Sequence, residues 1–179
     1  MKKSCTLLAT ILRCDPLSRL CISNYTYIAR NNNIYYDHHN FYTLSNIFQT
    51  EYNTILCMNN FCIFVHKHIQ KLIDLLDSSI NLILPTFTNM PIDMLPFYIR
   101  KCDWSQKFID LYIQSKNYNV QSFINDFKYY NDSRILYTDL IGFDNHSTNN
   151  NTIIKQLSLL PIKSCIETIK HYNMLLGII

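Results

Sequence analysis

A chain of 179 residues with 48% hydrophobic and 16% charged side chains can bury one sizeable core or two small ones, which excludes a disordered chain. Its net charge of +3 permits a polyanionic partner without requiring one. Seven cysteines without framework spacing read as reduced thiols of an intracellular protein, and no apolar run reaches the ~18 residues of a membrane span.

Only Gly142 and Gly177 are glycines, while Asn, Ile, Tyr and Lys are frequent. That bias suggests AT-rich coding, as in large DNA viruses or AT-rich parasites. With glycine scarce, asparagine is expected at left-handed turn positions. Residues 1–23 form an N-terminal segment. Its start, Met1 to Leu12, is basic and then apolar like a secretion signal, but Arg13, Cys14 and Asp15 follow without a small-residue cleavage site. An amphipathic helix or strand is the expectation there.

Residues 24–78 read as a strand-rich unit closed by a helix. Tyr25–Ile34 has the β-branched and aromatic content of a strand, and Asp37-His38-His39-Asn40 is a turn cluster. Asn59-Asn60 makes another turn and Phe61–Phe64 a short apolar run. Val65, Ile69, Leu72, Ile73 and Leu76 then fall at helical spacing. Residues 79–103 form a connector punctuated by Pro85, Pro91 and Pro96, with Ile80–Thr88 extended or coil.

Residues 104–179 read as a second copy of the unit. Trp104–Ile113 fits either a helix or a first strand. Asn119–Phe127 reads as a strand, Asn131-Asp132-Ser133 as a turn and Leu157–Leu160 as an apolar run. Ile162, Cys165, Ile166, Ile169 and Tyr172 make a helical stripe, with Pro161 in its first turn. The copies match in order. Asn24-Tyr25 stands against Asn117-Tyr118, Tyr35-Tyr36-Asp37 against Tyr129-Tyr130-Asn131, and Phe41–Leu44 against Leu136–Asp139. Phe48 then meets Phe143, Asn53–Leu56 meets Asn151–Ile154, and an insertion falls at Asp144–Asn150. The expected fold is α+β: two repeated units of antiparallel strands, each followed by an amphipathic helix, related by a pseudo-twofold axis.

Asn125–Asp132, with its paired tyrosines, and Leu157-Ser158-Leu159-Leu160-Pro161, a strand running into a helix, carry a resemblance. So do Ile34–Asp37 and Phe61–Phe64 in the first copy. Together they resemble the positive cofactor four family of transcriptional coactivators, which bind single-stranded DNA as dimers. The family's tryptophan near the helix start and its glycine before the last strand are absent. The resemblance implies a single-chain pseudo-dimer that binds single-stranded DNA or RNA, meets transcription machinery or a host protein, and acts in the nucleus or at a viral replication site. It implies neither catalysis nor a cofactor nor membrane contact.

Such binding needs aromatic faces for bases and cations for phosphates. Arg30, Tyr35, Tyr36 and Tyr42 are the candidates in the first copy, and Lys128, Tyr129, Tyr130, Arg134, Tyr137 and Lys155 in the second. The alternative for each tyrosine is core packing. Cys57, Cys62, His66 and His68 have no standard zinc spacing, and no Cys/His nucleophile pair, phosphate loop or carboxylate pair stands out, so no metal and no enzyme is expected. The competing expectation is a viral host-interaction module with an all-helical, apoptosis-regulator-like fold, resting on the periodicity of 65–77, 104–113 and 162–176.

Overall fold

The computed structural model describes residues 6–10, 15–59, 61–75, 79–86, 89–116, 119–143, 151–157 and 160–179. The Asn117-Tyr118 match, the Asp144–Asn150 insertion, Asn60 and Ser158-Leu159 lie outside them, as do the side chains of Asp37, His38, His39, Asn40, Tyr130 and Phe143.

Strand β1 (Thr6–Thr10) leads through helix α1 (Asp15–Asn31) to β2 (Tyr35–Phe41), and β3 (Thr54–Met58) follows. Strand β4 (Cys62–Phe64), the short α2 (Gln70–Asp74), β5 (Leu82–Pro85) and β6 (Phe97–Arg100) come next. Helices α3 (Asp103–Ser115) and α4 (Val120–Asp126), strands β7 (Ile135–Thr138), β8 (Ile141–Phe143) and β9 (Ile154–Gln156), and helix α5 (Ile162–Leu175) complete the order. Among the described residues the strands form a six-stranded sheet, β2-β1-β3-β6-β5-β7, and a three-stranded one, β4-β9-β8. In the larger sheet β1 pairs parallel with both β2 and β3, β6 pairs antiparallel with β3 and β5, and β5 pairs parallel with β7.

Register and burial explain why this sheet holds. Leu7, Ile55, Ile99 and Leu82 lie in one row across four strands, and Leu8, Leu56, Tyr98 and Ile83 in the next. Successive side chains of a strand point to opposite faces, so the two rows enter different cores. The first packs with Phe108, Ile109 and Tyr112 of α3 and Val120, Phe123 and Ile124 of α4. The second packs with Leu17, Cys21, Tyr25 and Ile28 of α1 and Cys165 and Ile169 of α5. A sheet covered by helices on both faces needs strands that are apolar throughout rather than alternating. Thr6-Leu7-Leu8-Ala9-Thr10 is buried at every position.

The architecture is mixed α and β, as expected, but several local expectations are corrected. Tyr25–Ile34 is not a strand. Leu17, Cys21, Tyr25 and Ile28 recur at helical spacing, all fully buried, and 15–31 is helical. Asn119–Phe127 is likewise helical over Val120–Asp126, where Asn119 caps the first turn through its side chain accepting from the Ser122 N–H. Asp37–Asn40 lies inside β2 rather than in a turn. Trp104–Ile113 resolves as helix, and β5 lies within the extended Ile80–Thr88 segment.

The matched copies also pair differently. Asn53–Leu56 enters β3 in the six-stranded sheet, whereas Asn151–Ile154 leads into β9 in the small sheet. Strands from the N-terminal segment (β1), the first copy (β2, β3), the connector (β5, β6) and the second copy (β7) interleave in one sheet. Neither copy closes a sheet of its own.

Candidate functional site

The β1-α1-β2 connection places β2 on one side of β1, and the chain then returns to lay β3 on the other. Where successive connections leave a parallel sheet in opposite directions, a crevice opens outside the carboxyl ends of the strands, and ligands bind there. Strands β1, β2, β3, β5 and β7 all run the same way, so their carboxyl ends lie along one edge. Thr10, Asn59, Thr86 and Thr138 stand at that edge, and β3 and β7 run out of it into β4 and β8 of the small sheet.

The turn after β3 is tightly determined. The Tyr25 hydroxyl lies 2.6 Å from the carbonyl oxygens of both Asn59 and Cys62, tying α1 to the turn. The Asn59 Oδ1 accepts from the Phe61 N–H at 2.8 Å and lies 3.4 Å from the Cys62 Sγ. The same thiol is 2.5 Å from the Gln156 Oε1, and the Gln156 Nε2 donates to the Met94 carbonyl at 2.8 Å. Burial pushes the Cys62 thiol far above its ordinary range, so it stays protonated and can donate.

Among the described residues four buried side-chain polar atoms lack a hydrogen-bond partner; the Thr50 Oγ1 and Trp104 Nε1 lie elsewhere, and two stand at this edge. The Thr10 Oγ1 and the Asn59 Nδ2 are buried and have no hydrogen-bond partner. They are neighbours by register, since Thr10 is opposite Met58, the residue before Asn59. Because the Asn59 oxygen is engaged by the turn, what this side chain has left to offer is N–H.

The residues expected to bind a single strand are dispersed. Arg30 is exposed in the last turn of α1. Tyr35 is 45% exposed and stacks on Tyr52 with ring centroids 5.1 Å apart, while Tyr36 turns inward and meets Tyr25 edge-on. Tyr42 and Tyr137 are half-buried against the core beneath α3 and α4. Tyr129 joins Trp104, Phe108 and Phe123 in an aromatic cluster beside the exposed Lys128. Arg134 lies over the Trp104 ring and forks onto Asp132, holding that carboxyl below the usual range. Lys155 is buried, with its Nζ donating to the Tyr172 hydroxyl at 3.1 Å. Cys57 and Cys62 enter opposite cores and His66 and His68 are exposed. Among the described residues no group of three His, Cys, Asp or Glu side chains could hold a metal ion.

No sequence motif links Thr10, Asn59, Cys62 and Gln156 as a group. The available signal was an apolar run ending in a polar residue, twice: Leu7-Leu8-Ala9-Thr10 and Ile55-Leu56-Cys57-Met58-Asn59. Two buried parallel strands that finish this way side by side mark an edge where polar groups are presented.

No protein-family model and no curated protein matches the sequence. Among solved structures the chain is similar to a glycosyltransferase involved in the glycosylation of the major capsid of PBCV-1. The identity is 13% and the TM-score 0.63, over 93% of this chain and 98% of that one. This is a likeness of fold. It overturns the expectation of a single-strand-binding coactivator without turnover, because the architecture is shared end to end with an enzyme. The two sheets overturn the all-helical fold expected for the competing host-interaction module. Among the described residues no helix is long and apolar enough to cross a membrane.

Proposed function

We propose that the chain is a sugar-transfer enzyme, with its activated-sugar donor bound at the carboxyl edge of β1 and β3. The observation that carries this reading is the fold likeness to a glycosyltransferase over nearly the whole of both chains. The location is supported by the change of direction between β2 and β3 about β1, since that crevice is where open α/β sheets take their ligands. In the transfer, the bond from the donor's anomeric carbon to its leaving oxygen breaks and a bond to an acceptor hydroxyl oxygen forms. The hydroxyl proton passes to a base, and the leaving group departs as an oxyanion. The site must therefore hold an oxygen-rich, anionic leaving group beside a sugar.

Incubation of the purified chain with a panel of nucleoside-diphosphate sugars, following release of the nucleoside diphosphate, tests the activity. Water accepts the sugar slowly in such enzymes when no other acceptor is present, so release above the buffer rate with one sugar nucleotide is expected. Buffer-level release across the panel, with and without divalent cations and simple sugar acceptors, would count against the proposal.

A further inference from the structure

We infer that Thr10 and Asn59 bind an oxygen acceptor of the donor's leaving group directly, as hydrogen-bond donors, and that this contact needs no bridging cation. The inference rests on the sugar-transfer reading and specifies the chemistry of its site. Asn59 is fully buried and Thr10 3% exposed, yet the Asn59 Nδ2 and the Thr10 Oγ1 have no partner. A buried polar atom without a partner costs free energy, and native structures keep few of them. These two fall on adjacent strands at the same carboxyl edge, one residue out of register.

The donor set decides what they can take. A cation would need the Asn59 oxygen, but the Phe61 N–H already holds that oxygen and the Cys62 thiol lies beside it. Turning the amide round would cost the Phe61 N–H its acceptor, and the Tyr25 hydroxyl holds the backbone carbonyls of the same turn in place. An N–H repels a metal ion and attracts a phosphate or hydroxyl oxygen. The Thr10 hydroxyl can donate to the same ligand. Both groups are neutral donors, and away from bulk water a hydrogen bond is electrostatically stronger than in it.

The test is calorimetric titration of the full chain with UDP, GDP, CDP and dTDP, in excess EDTA and in manganese. Thr10→Val keeps the side-chain shape and removes the hydroxyl. Asn59→Asp keeps the turn-forming oxygen and replaces the N–H donor by an oxygen. We expect one nucleotide to bind with affinity equal within about twofold in EDTA and manganese. Thr10→Val should bind about tenfold more weakly while melting at the same or a higher temperature, because an orphan hydroxyl has been removed. Asn59→Asp should lose binding in EDTA and regain part of it with manganese. Wild-type binding that vanishes in EDTA would overturn the inference and leave the sugar-transfer reading standing. So would unchanged binding by both variants, which would mean that a buried water serves these atoms. No binding of any nucleotide in either condition would remove the sugar-transfer reading itself, and this inference with it.

Discussion

Cys62 shows how a single side chain ties the candidate site to the core. Its thiol sits between the Asn59 and Gln156 side-chain oxygens, in the face of the small sheet that also meets Tyr25 of α1. Burial raises the thiol's pKa well beyond the ordinary value, so the thiolate is not populated at neutral or mildly alkaline pH. Cys57, on the opposite face, is raised for the same reason. Thiolate is the reactive form, and therefore the folded chain should resist alkylation at Cys21, Cys57, Cys62 and Cys165, which are all buried. Cys102, half-exposed ahead of α3, should be modified first among these five. Peptide mapping after brief iodoacetamide treatment at pH 8 checks this. Early modification of Cys62 would mean that the turn after β3 opens readily, and would weaken the account of a fixed Asn59 amide. The Asp132 carboxyl follows a different rule. Arg134 lowers its pKa, so the pair contributes above the ordinary aspartate range and is lost as pH falls through the lower folded value.

Gly177, with φ 73°, follows helix α5, whereas α3 and α4 end without glycine, and the cost is visible. Lys116 closes α3 with φ 54°, and Lys128 follows α4 with φ 59°, both in the left-handed region. Asn33, after α1, is the one asparagine of this kind among the described residues, so the expectation that asparagine fills such positions holds at one site of three. A side chain with a Cβ is strained in that region by about 1–2 kcal/mol. Lys116→Gly should therefore raise stability by up to about 1 kcal/mol, the remainder being lost to the greater freedom of glycine in the unfolded chain. Urea denaturation reads this directly. A loss of stability would show that the lysine side chain makes a contact that outweighs the strain.

The same elements show what was legible in the sequence. The stripe Cys165, Ile169 and the long helix α5 could be read, because helical spacing there competes with no other signal. In α1 the stripe Leu17, Cys21, Tyr25, Ile28 was equally regular, but it was masked by tyrosines and by β-branched neighbours that favour strands. Strands β1, β5 and β6 lay outside the apparent repeat, and being buried on both faces they carry no alternation to reveal them. The site followed from their pairing. Thr10 and Asn59 are 49 residues apart in sequence and share one edge only because β1 and β3 pair parallel, with Thr10 opposite Met58.

At the scale of the molecule, two cores built on opposite faces of one sheet leave its carboxyl edge as the place where polar side chains from distant segments gather. Helices α1 and α5 hold one face, α3 and α4 the other, and β3 and β7 lead across the edge into the small sheet. Of the tyrosines proposed for a single-strand platform, Tyr36, Tyr42, Tyr129 and Tyr137 pack against these cores, while Tyr35 is exposed. The central claim is that ligand chemistry happens at the edge defined by Thr10 and Asn59. Amide NMR of the labelled chain, titrated with the panel of sugar nucleotides, tests it most directly. The account predicts shifts concentrated at Thr10, Met58 and Asn59, including the Asn59 side-chain amide, for at least one of them. Shifts confined to the Tyr35–Tyr52 or Trp104–Arg134 surfaces, or none with any sugar nucleotide, would contradict it.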